Sequence, residues 1–544
     1  MTSADAHSSK AALPKEKRGV TIMAGPAAFT PPEMTPRRLL GFVAMCVGMF
    51  MAILDIQIVS SSLAEIQAGL SASSSEVSWV QTAYLIAEIV MIPLSGFLGR
   101  ALSTRYLFAV AAGGFAITSF GCSTANSITE MIVWRGLQGF IGGGMIPSVF
   151  AAAFTIFPKR QQGMVSAVVG LIATLAPTVG PTVGGYLTSI FSWHWLFLVN
   201  VLPGIGVCIA VMLCVDWDKP NLKLLDHFDY IGLVALAAFL GSLEYVLEEG
   251  AQNDWFQDQT IATLAVVTVV AGIAFFWRAL TAREPIVDIR AFKNRNFATG
   301  ALFSFMLGVG LYGLVYLYPV YLARVRGYDS LQIGETMFVT GIFMMITAPI
   351  AGNLAQKVDP RVMMAFGLSL FAFSCLELVP ITKDWAFGEL FIPQALRGVA
   401  LMTSMLPVSI LALGTLPPER IKNASGLFNL TRNLGGAVGL AVITTTLNKR
   451  WDLHIARLHE AVNWGNRAAI ERLDALSRGL GALGSNAQIG ALSIINQSAK
   501  REALVMAFSD VFLVLAILFA AIVLLVPLAQ KPQPHGGGAA AEAH

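Results

Sequence analysis

The segment PLSGFLGRALSTR, residues 93–105, returns 256 residues later as PIAGNLAQKVDPR, residues 349–361. Pro93, Gly96, Leu98 and Arg105 recur at unchanged spacing as Pro349, Gly352, Leu354 and Arg361. Further along, Arg135-Gly136 recurs as Arg397-Gly398, Pro147 as Pro407, and Pro158-x-Arg160 as Pro418-x-Arg420, at offsets of 260 to 262. The chain therefore carries one unit twice, in the same order.

Each copy consists of membrane-length apolar stretches. The chain has 544 residues, 55% hydrophobic and only 13% charged; a soluble globular chain carries about 25% charge. Fourteen apolar stretches lie near 39–63, 77–99, 106–124, 128–154, 163–190, 195–215, 230–249, 260–281, 297–322, 333–355, 361–380, 388–414, 424–446 and 504–528. Each is about the length of a spanning helix. Six belong to each copy, and the pair at 230–249 and 260–281 stands between them. Two six-helix units of like order and orientation form a parallel repeat about an axis along the membrane normal, as in the major facilitator fold. The expectation is an all-α polytopic membrane protein with bundles at 38–215 and 297–528, an inserted pair at 230–281 and an outside loop at 447–503. The polar ends, 1–37 and 529–544, read as disordered cytoplasmic tails.

Basic residues orient the bundle. With the N-terminus inside and the helices alternating, inside segments hold 22 of the 36 Lys and Arg, and the short outside loops hold three, Arg324, Arg326 and Lys383. That bias is the positive-inside rule, and it places both ends in the cytoplasm. It also explains the net charge of +3 without a nucleic-acid partner. The five cysteines lie inside apolar runs with no CxxC spacing, which argues against a disulfide framework or a metal site. No GxxxxGK[ST] phosphate loop occurs, so ATP is not a direct energy source. No nucleophile–base set suggests an enzyme, and no cofactor is implied.

The first stretch contains Asp55, in LDIQIVSSSL. A carboxylate at membrane depth is costly and marks an ion or substrate path, or a partner charge. Arg135 of the fourth stretch sits at a compatible depth, and Arg135, Gln138, Gly139 and Gly142 share one helix face. Burial favours a neutral acid and a nearby guanidinium favours the carboxylate, so such a pair can couple to protons. The plainer alternative is a fixed structural ion pair. Glu88, Glu244, Glu377, Arg397 and Arg432 are further charges within apolar stretches. For Glu244 the alternative is an acid packed at the periphery, on an inserted helix outside both bundles.

The fifth stretch reads LAPTVGPTVGG, 175–185. Pro177 and Pro181 remove backbone donors four residues apart and bend a helix. Gly180 and Gly184 form a small-x-x-x-small packing face, with Gly185 beside it. A packing helix with a gating kink is expected.

This run resembles the antiporter motif of drug:proton antiporters of the major facilitator superfamily. Trp134-Arg135-Gly136-Leu137-Gln138-Gly139 resembles their fourth-helix motif, and Leu54-Asp55-Ile56 the first-helix acidic motif of the fourteen-helix exporters. Phe228-Asp229-Tyr230-Ile231-Gly232, Asp254-Trp255-Phe256 and Arg432-Asn433-Leu434-Gly435-Gly436 are similar to that group too, and the EmrB/QacA subfamily matches best over about residues 38–530. In the loop after the second stretch, GFLGRALSTR, Arg100 stands where the family has an aspartate, and Ser103-Thr104 where it has Gly-Arg. Another contact must then steady the closed cytoplasmic gate.

The resemblance implies a proton-coupled exporter of hydrophobic or amphipathic compounds, drugs and toxins, in a bacterial inner membrane. It also implies a periplasmic adaptor and an outer-membrane channel as partners. In the 447–503 loop, Trp451, Ile455, Leu458 and Val462 fall on one helical face, and Ile470, Leu473 and Leu480 suggest a second helix. Such helices dock a partner or a lipid surface, or fold on themselves. Export of one dedicated metabolite, such as a siderophore or antibiotic, is the alternative within transport. A non-transporting membrane sensor or scaffold is the alternative outside it.

Overall fold

The computed structural model describes residues 34–282, 285–463, 465–480 and 486–531, and these are helical with no strand among them. Both expected tails fall mainly outside the described residues. The helices are α1 (Pro36–Ser61), α2 (Leu63–Gly69), α3 (Ser74–Ala101), α4 (Thr104–Ser123), α5 (Ile128–Gly142), α6 (Met145–Thr155), α7 (Lys159–Ile190) and α8 (Trp195–Cys214). After them come α9 (Tyr230–Gly250), α10 (Gln259–Thr281), α11 (Arg295–Tyr321), α12 (Ser330–Leu354) and α13 (Pro360–Leu376). The last four are α14 (Phe387–Leu413), α15 (Pro418–Ala461), α16 (Arg467–Gly479) and α17 (Ala487–Val523).

Among the described residues, twelve helices are long and apolar enough to cross a membrane, with α5 and α6 running on as one span, Ile128–Thr155. Two of the fourteen expected crossings fall short of that standard. Helix α13 is apolar but has 17 residues. Helix α15 has 44, and Asn429, Thr431, Arg432 and Asn433 dilute its apolar character.

Within the first unit α1 packs on α7 and α8, α4 on α8, and α3 on α5. Within the second, α11 packs on α15, α13 on α14, and α13 and α15 on α17. Lipid gives helices no hydrophobic reason to associate, so close backbone approach and buried polar bonds do this work. The two units meet along α7 with α12 and α3 with α15. Here the sequence repeat becomes geometry. Gly96 of the first copy faces Asn423, and its counterpart Gly352 faces Gly163 and Met164. Asn423 and Gly163 are themselves 260 residues apart, so the two contacts are copies of each other.

The inserted helices α9 and α10 pack together, and an Arg278–Asp229 ion pair of 2.8 Å ties them. Helix α9 lies against α3 and α15, one from each unit. Helix α10 is outermost, with Val266, Val269, Val270, Ile273 and Trp277 exposed along it.

Residues 447–503 are largely the prolongation of two spanning helices: α15 runs on to Ala461 and α17 begins at Ala487. Trp451 donates to the Lys500 carbonyl at 3.1 Å, and Asp510 meets His454 at 2.8 Å and Arg450 at 3.4 Å. The short α16 packs on α17 and buries Leu473.

Candidate functional site

Asp55 and Arg135 meet. Arg135 Nη1 lies 2.5 Å from Asp55 Oδ2, and both side chains are fully buried. Thr35 caps α1 and Pro36 opens it, which sets Asp55 five turns along. Ser127 caps α5 and Glu130 occupies its first turn, so Arg135 comes in the third. The Asp55 carboxylate is saturated: Oδ1 accepts from Asn200 Nδ2 at 2.7 Å and from Gln138 Nε2 at 3.3 Å. Arg135 also donates to Gln138 Oε1 at 2.7 Å and to the Val80 carbonyl at 3.1 Å. Ser119 supports Gln138 at 2.8 Å. The guanidinium lies 4.2 Å from the Tyr84 ring centre and 5.8 Å from that of Phe197. Helices α1, α3, α4, α5 and α8 are thus joined through one ion pair. Breaking such a pair on one side costs roughly 3–5 kcal/mol, because the other charge is stranded.

Glycines let the backbones come this close. A Cβ on Gly139 would overlap the Tyr84 carbonyl, so any side chain there would push α5 off α3. On the other flank, a Cβ on Gly180 of α7 would overlap Gln57, and one on Gly184 would sit 2.9 Å from the Ile58 carbonyl. The antiporter-motif glycines therefore clamp α1 within a turn of Asp55. Helix α7 continues through Pro177 and Pro181, and Pro177 and Gly185 are buried within it.

Beside the ion pair is a cavity of roughly 320 Å³. Pro181, Ile56, Leu85, Val315, Tyr312 and Tyr316 form much of its apolar wall. Gln57, Gln81 and Asn433 add polar points, and Glu88, Glu244 and Glu248 add three carboxyl groups. A mostly apolar cleft with a few converging polar groups is the usual form of a small-molecule site. Asp55 is absent from the lining, although its neighbours Ile56 and Gln57 belong to it. The ion pair and the cavity are adjacent but separate, with Tyr84 reaching the pair one turn before Glu88 reaches the cavity. Glu244 does not pack at the periphery: α9 brings it to the cavity between the two units.

The second-half charges divide. Arg397 is buried over the Tyr318 ring at 4.9 Å, and none of its guanidinium nitrogens has a hydrogen-bond partner. The first copy gives its arginine a carboxylate, and the second gives it a ring. Arg432 donates to Asn429 at 2.7 Å and lies 5.3 Å from the Phe150 ring centre. Glu377 is a correction. It was expected as a buried charge near the outer end of its helix; it does lie at that end, as the C-cap after Leu376, but it is exposed.

At the opposite end from the 447–503 hairpin, side-chain bonds join the two units. Lys422 of α15 pairs with Asp218 and donates to the Gly99 carbonyl at 2.8 Å. Asp218 in turn accepts from the Thr104 backbone at 2.8 Å and its hydroxyl at 2.7 Å. With its amide turned to suit both neighbours, Asn423 donates to the Gly96 carbonyl and accepts from Arg100, each at 3.1 Å. An aspartate from the segment after α8 thus occupies this junction, where Arg100 replaces the motif's own.

Asn200, Ser119, Tyr84, Glu248, Asp218 and Lys422 were not singled out from sequence. Glu248 carried a signal, lying one helical turn from Glu244 on the same face. Asn200 carried another, as a lone amide in the apolar run LFLVNVL.

The fold and motifs have known relatives. Residues 45–440 match the family model for the Major Facilitator Superfamily. The colistin resistance protein EmrB of Acinetobacter baumannii is 43% identical over 479 residues, covering 88% of this chain and 93% of that one. The multidrug export protein EmrB of Escherichia coli K12 is 32% identical over 498 residues, covering 91% and 96%. Among solved structures, the human organic anion transporter MFSD10 has a TM-score of 0.56 at 14% identity, covering 89% of this chain and all of that one. The proton:xylose symporter XylE has a TM-score of 0.52 at 12% identity, covering 90% and 96%. This chain belongs to the major facilitator superfamily, in its EmrB-like branch.

Proposed function

We propose that this protein exports hydrophobic or amphipathic compounds, drugs and toxic molecules among them, across a bacterial inner membrane in exchange for protons. The names of its EmrB relatives support drug export. The apolar cavity supports cargo of that character. One observation carries the coupling: a fully buried Asp55–Arg135 pair that joins five helices beside a cavity lined by carboxyl groups. In one state Asp55 is ionised and paired. In the other it takes a proton and releases Arg135, and the helices it held are free to shift. Glu88 and Glu244, on the cavity wall, relay protons between this pair and solvent.

In this reading all fourteen stretches cross the membrane, both ends of the chain are cytoplasmic, and the 447–503 hairpin stands in the periplasm. There it meets an adaptor that leads to an outer-membrane channel. The cavity lies on the hairpin side of the junction at Asp218 and Lys422, which supports reading that junction as the cytoplasmic gate. The two units rock about the α7–α12 and α3–α15 contacts to expose the cavity alternately.

Reconstituted protein tests this. An imposed pH gradient should drive uphill movement of a lipophilic dye in proteoliposomes and collapse with a protonophore. Dye movement indifferent to the gradient would sink the antiport reading.

A further inference from the structure

We propose that inserted helix α9 is part of the substrate site and makes it selective for cations: Glu244 and Glu248, with Glu88 of α3, hold the positive group of an amphipathic cation. The aromatic and aliphatic wall takes its apolar body. This rests on the export reading above and names the charge of the cargo.

Glu88 and Glu244 line the cavity and are 2% and 6% exposed, and Glu88 Oε1 and Glu244 Oε2 are buried with no hydrogen-bond partner. A buried polar atom without a partner is expensive, and a buried unpaired charge more so. Groups kept in that state in a cavity wall await a partner. Glu248 lines the same cavity one turn along α9. No lysine or arginine lines it among the described residues. The nearest bases are engaged elsewhere: Arg135 holds Asp55, and Arg432 donates to Asn429 while facing Phe150. Arg432 keeps two nitrogens without partners, but it makes no ion pair with these acids among the described residues. Glu249, the remaining acid on this part of α9, accepts from Thr82 at 3.2 Å.

Three carboxyl groups around one small apolar space cannot all ionise without a positive charge between them. A proton or a cationic group satisfies them, and an anionic group does not. Tyr312 and Tyr316 add ring faces suited to a cation. Two of the three acids come from the inserted pair, so twelve helices alone would leave the cavity with Glu88 only. This gives α9 a function beyond spacing the two units.

The test is equilibrium binding to the full-length protein in nanodiscs. The probes are tetraphenylphosphonium, a lipophilic cation, and triphenylphosphine oxide, a neutral aryl compound of related shape. Wild type should prefer the cation. The double variant Glu244→Gln/Glu248→Gln should lose about tenfold in affinity for the cation and hold the neutral probe within about twofold. Glu248→Asp should keep the preference, and Glu248→Lys should abolish it. A wild type without preference, equal loss of both probes, or a preference surviving in Glu248→Lys each overturns the assignment. The Glu248→Lys arm decides the matter should the double variant not assemble. Gradient-driven export of a neutral dye by the wild-type protein, measured alongside, separates failure of this inference from failure of antiport.

Discussion

Asp55 owes its position to three neighbours, of which sequence depth pointed to one. Arg135 was legible because a buried acid and a buried base at matching heights have few other partners. Gln138 was legible as a motif residue, but its part as a bridge to Ser119 and Asp55 was not. Asn200 was invisible as a partner, because helix depth says nothing about which face of α8 turns toward α1. Its amide supplies the shorter bond to Asp55 Oδ1, 2.7 Å against 3.3 Å from Gln138. Replacing Asn200 by Leu removes that bond inside a dry cluster, and losses of this kind cost about 1–3 kcal/mol. The melting midpoint of the purified protein should fall accordingly, whereas Asn200→Asp should do worse by adding a second negative charge. An unchanged midpoint in Asn200→Leu would show that Gln138 and Arg135 alone suffice to hold the carboxylate.

Single helices carry the contacts that set the two units against each other. The glycines of α7 were legible as a packing face, because small residues four apart announce close approach. That the face would grip α1 beside Gln57 and Ile58 depended on the three-dimensional arrangement. Gly180→Leu or Gly184→Leu should insert normally and lose export, with protein level by immunoblot and dye efflux as the paired readouts. Efflux retained by either variant would detach the motif from transport. The closed end was legible only as a gap: Arg100 broke the expected pattern, and nothing in the segment after α8 announced Asp218. Its carboxylate bonds Thr104 of one unit and Lys422 of the other. Asp218→Asn should loosen that end, speeding hydrogen–deuterium exchange across residues 99–107 while leaving the hairpin side unchanged. Exchange at the wild-type rate would mean that the Asn423 and Arg100 contacts keep the junction closed by themselves. Glu377 failed for a reason of scale: an apolar run extends past the end of its helix, and burial follows the helix.

Across the whole molecule, the twofold sequence repeat was the most informative feature, and the pseudo-symmetric Gly96 and Gly352 contacts are its structural imprint. The inserted pair was legible as an extra and silent about its place, because the sequence of α9 does not say which helices it joins. The hairpin was legible as amphipathic, but its continuity with α15 and α17 was not. That continuity suggests a clean excision. Trp451 and Lys500 face each other at 3.1 Å, so residues 452–499 can be replaced by a short Gly/Ser turn at a level where the helices already pair. Vesicle transport should survive this change, and drug resistance of whole cells should be lost if an adaptor docks there. Equal loss in both assays would assign the hairpin to folding instead. In the proposed mechanism Asp55 exchanges its hold on Arg135 for a proton during transport. Asp55→Asn preserves size but cannot titrate; because it also leaves the buried Arg135 charge unpaired, its melting midpoint is measured beside transport to show that the variant is folded. The decisive measurement is dye efflux from proteoliposomes under an imposed pH gradient. Asp55→Asn should bind dye and fail to move it uphill, and Asp55→Glu should retain partial activity with a displaced pH optimum. Gradient-driven efflux by Asp55→Asn at the wild-type rate would remove Asp55 from the coupling step and leave Glu88 as the acid to examine.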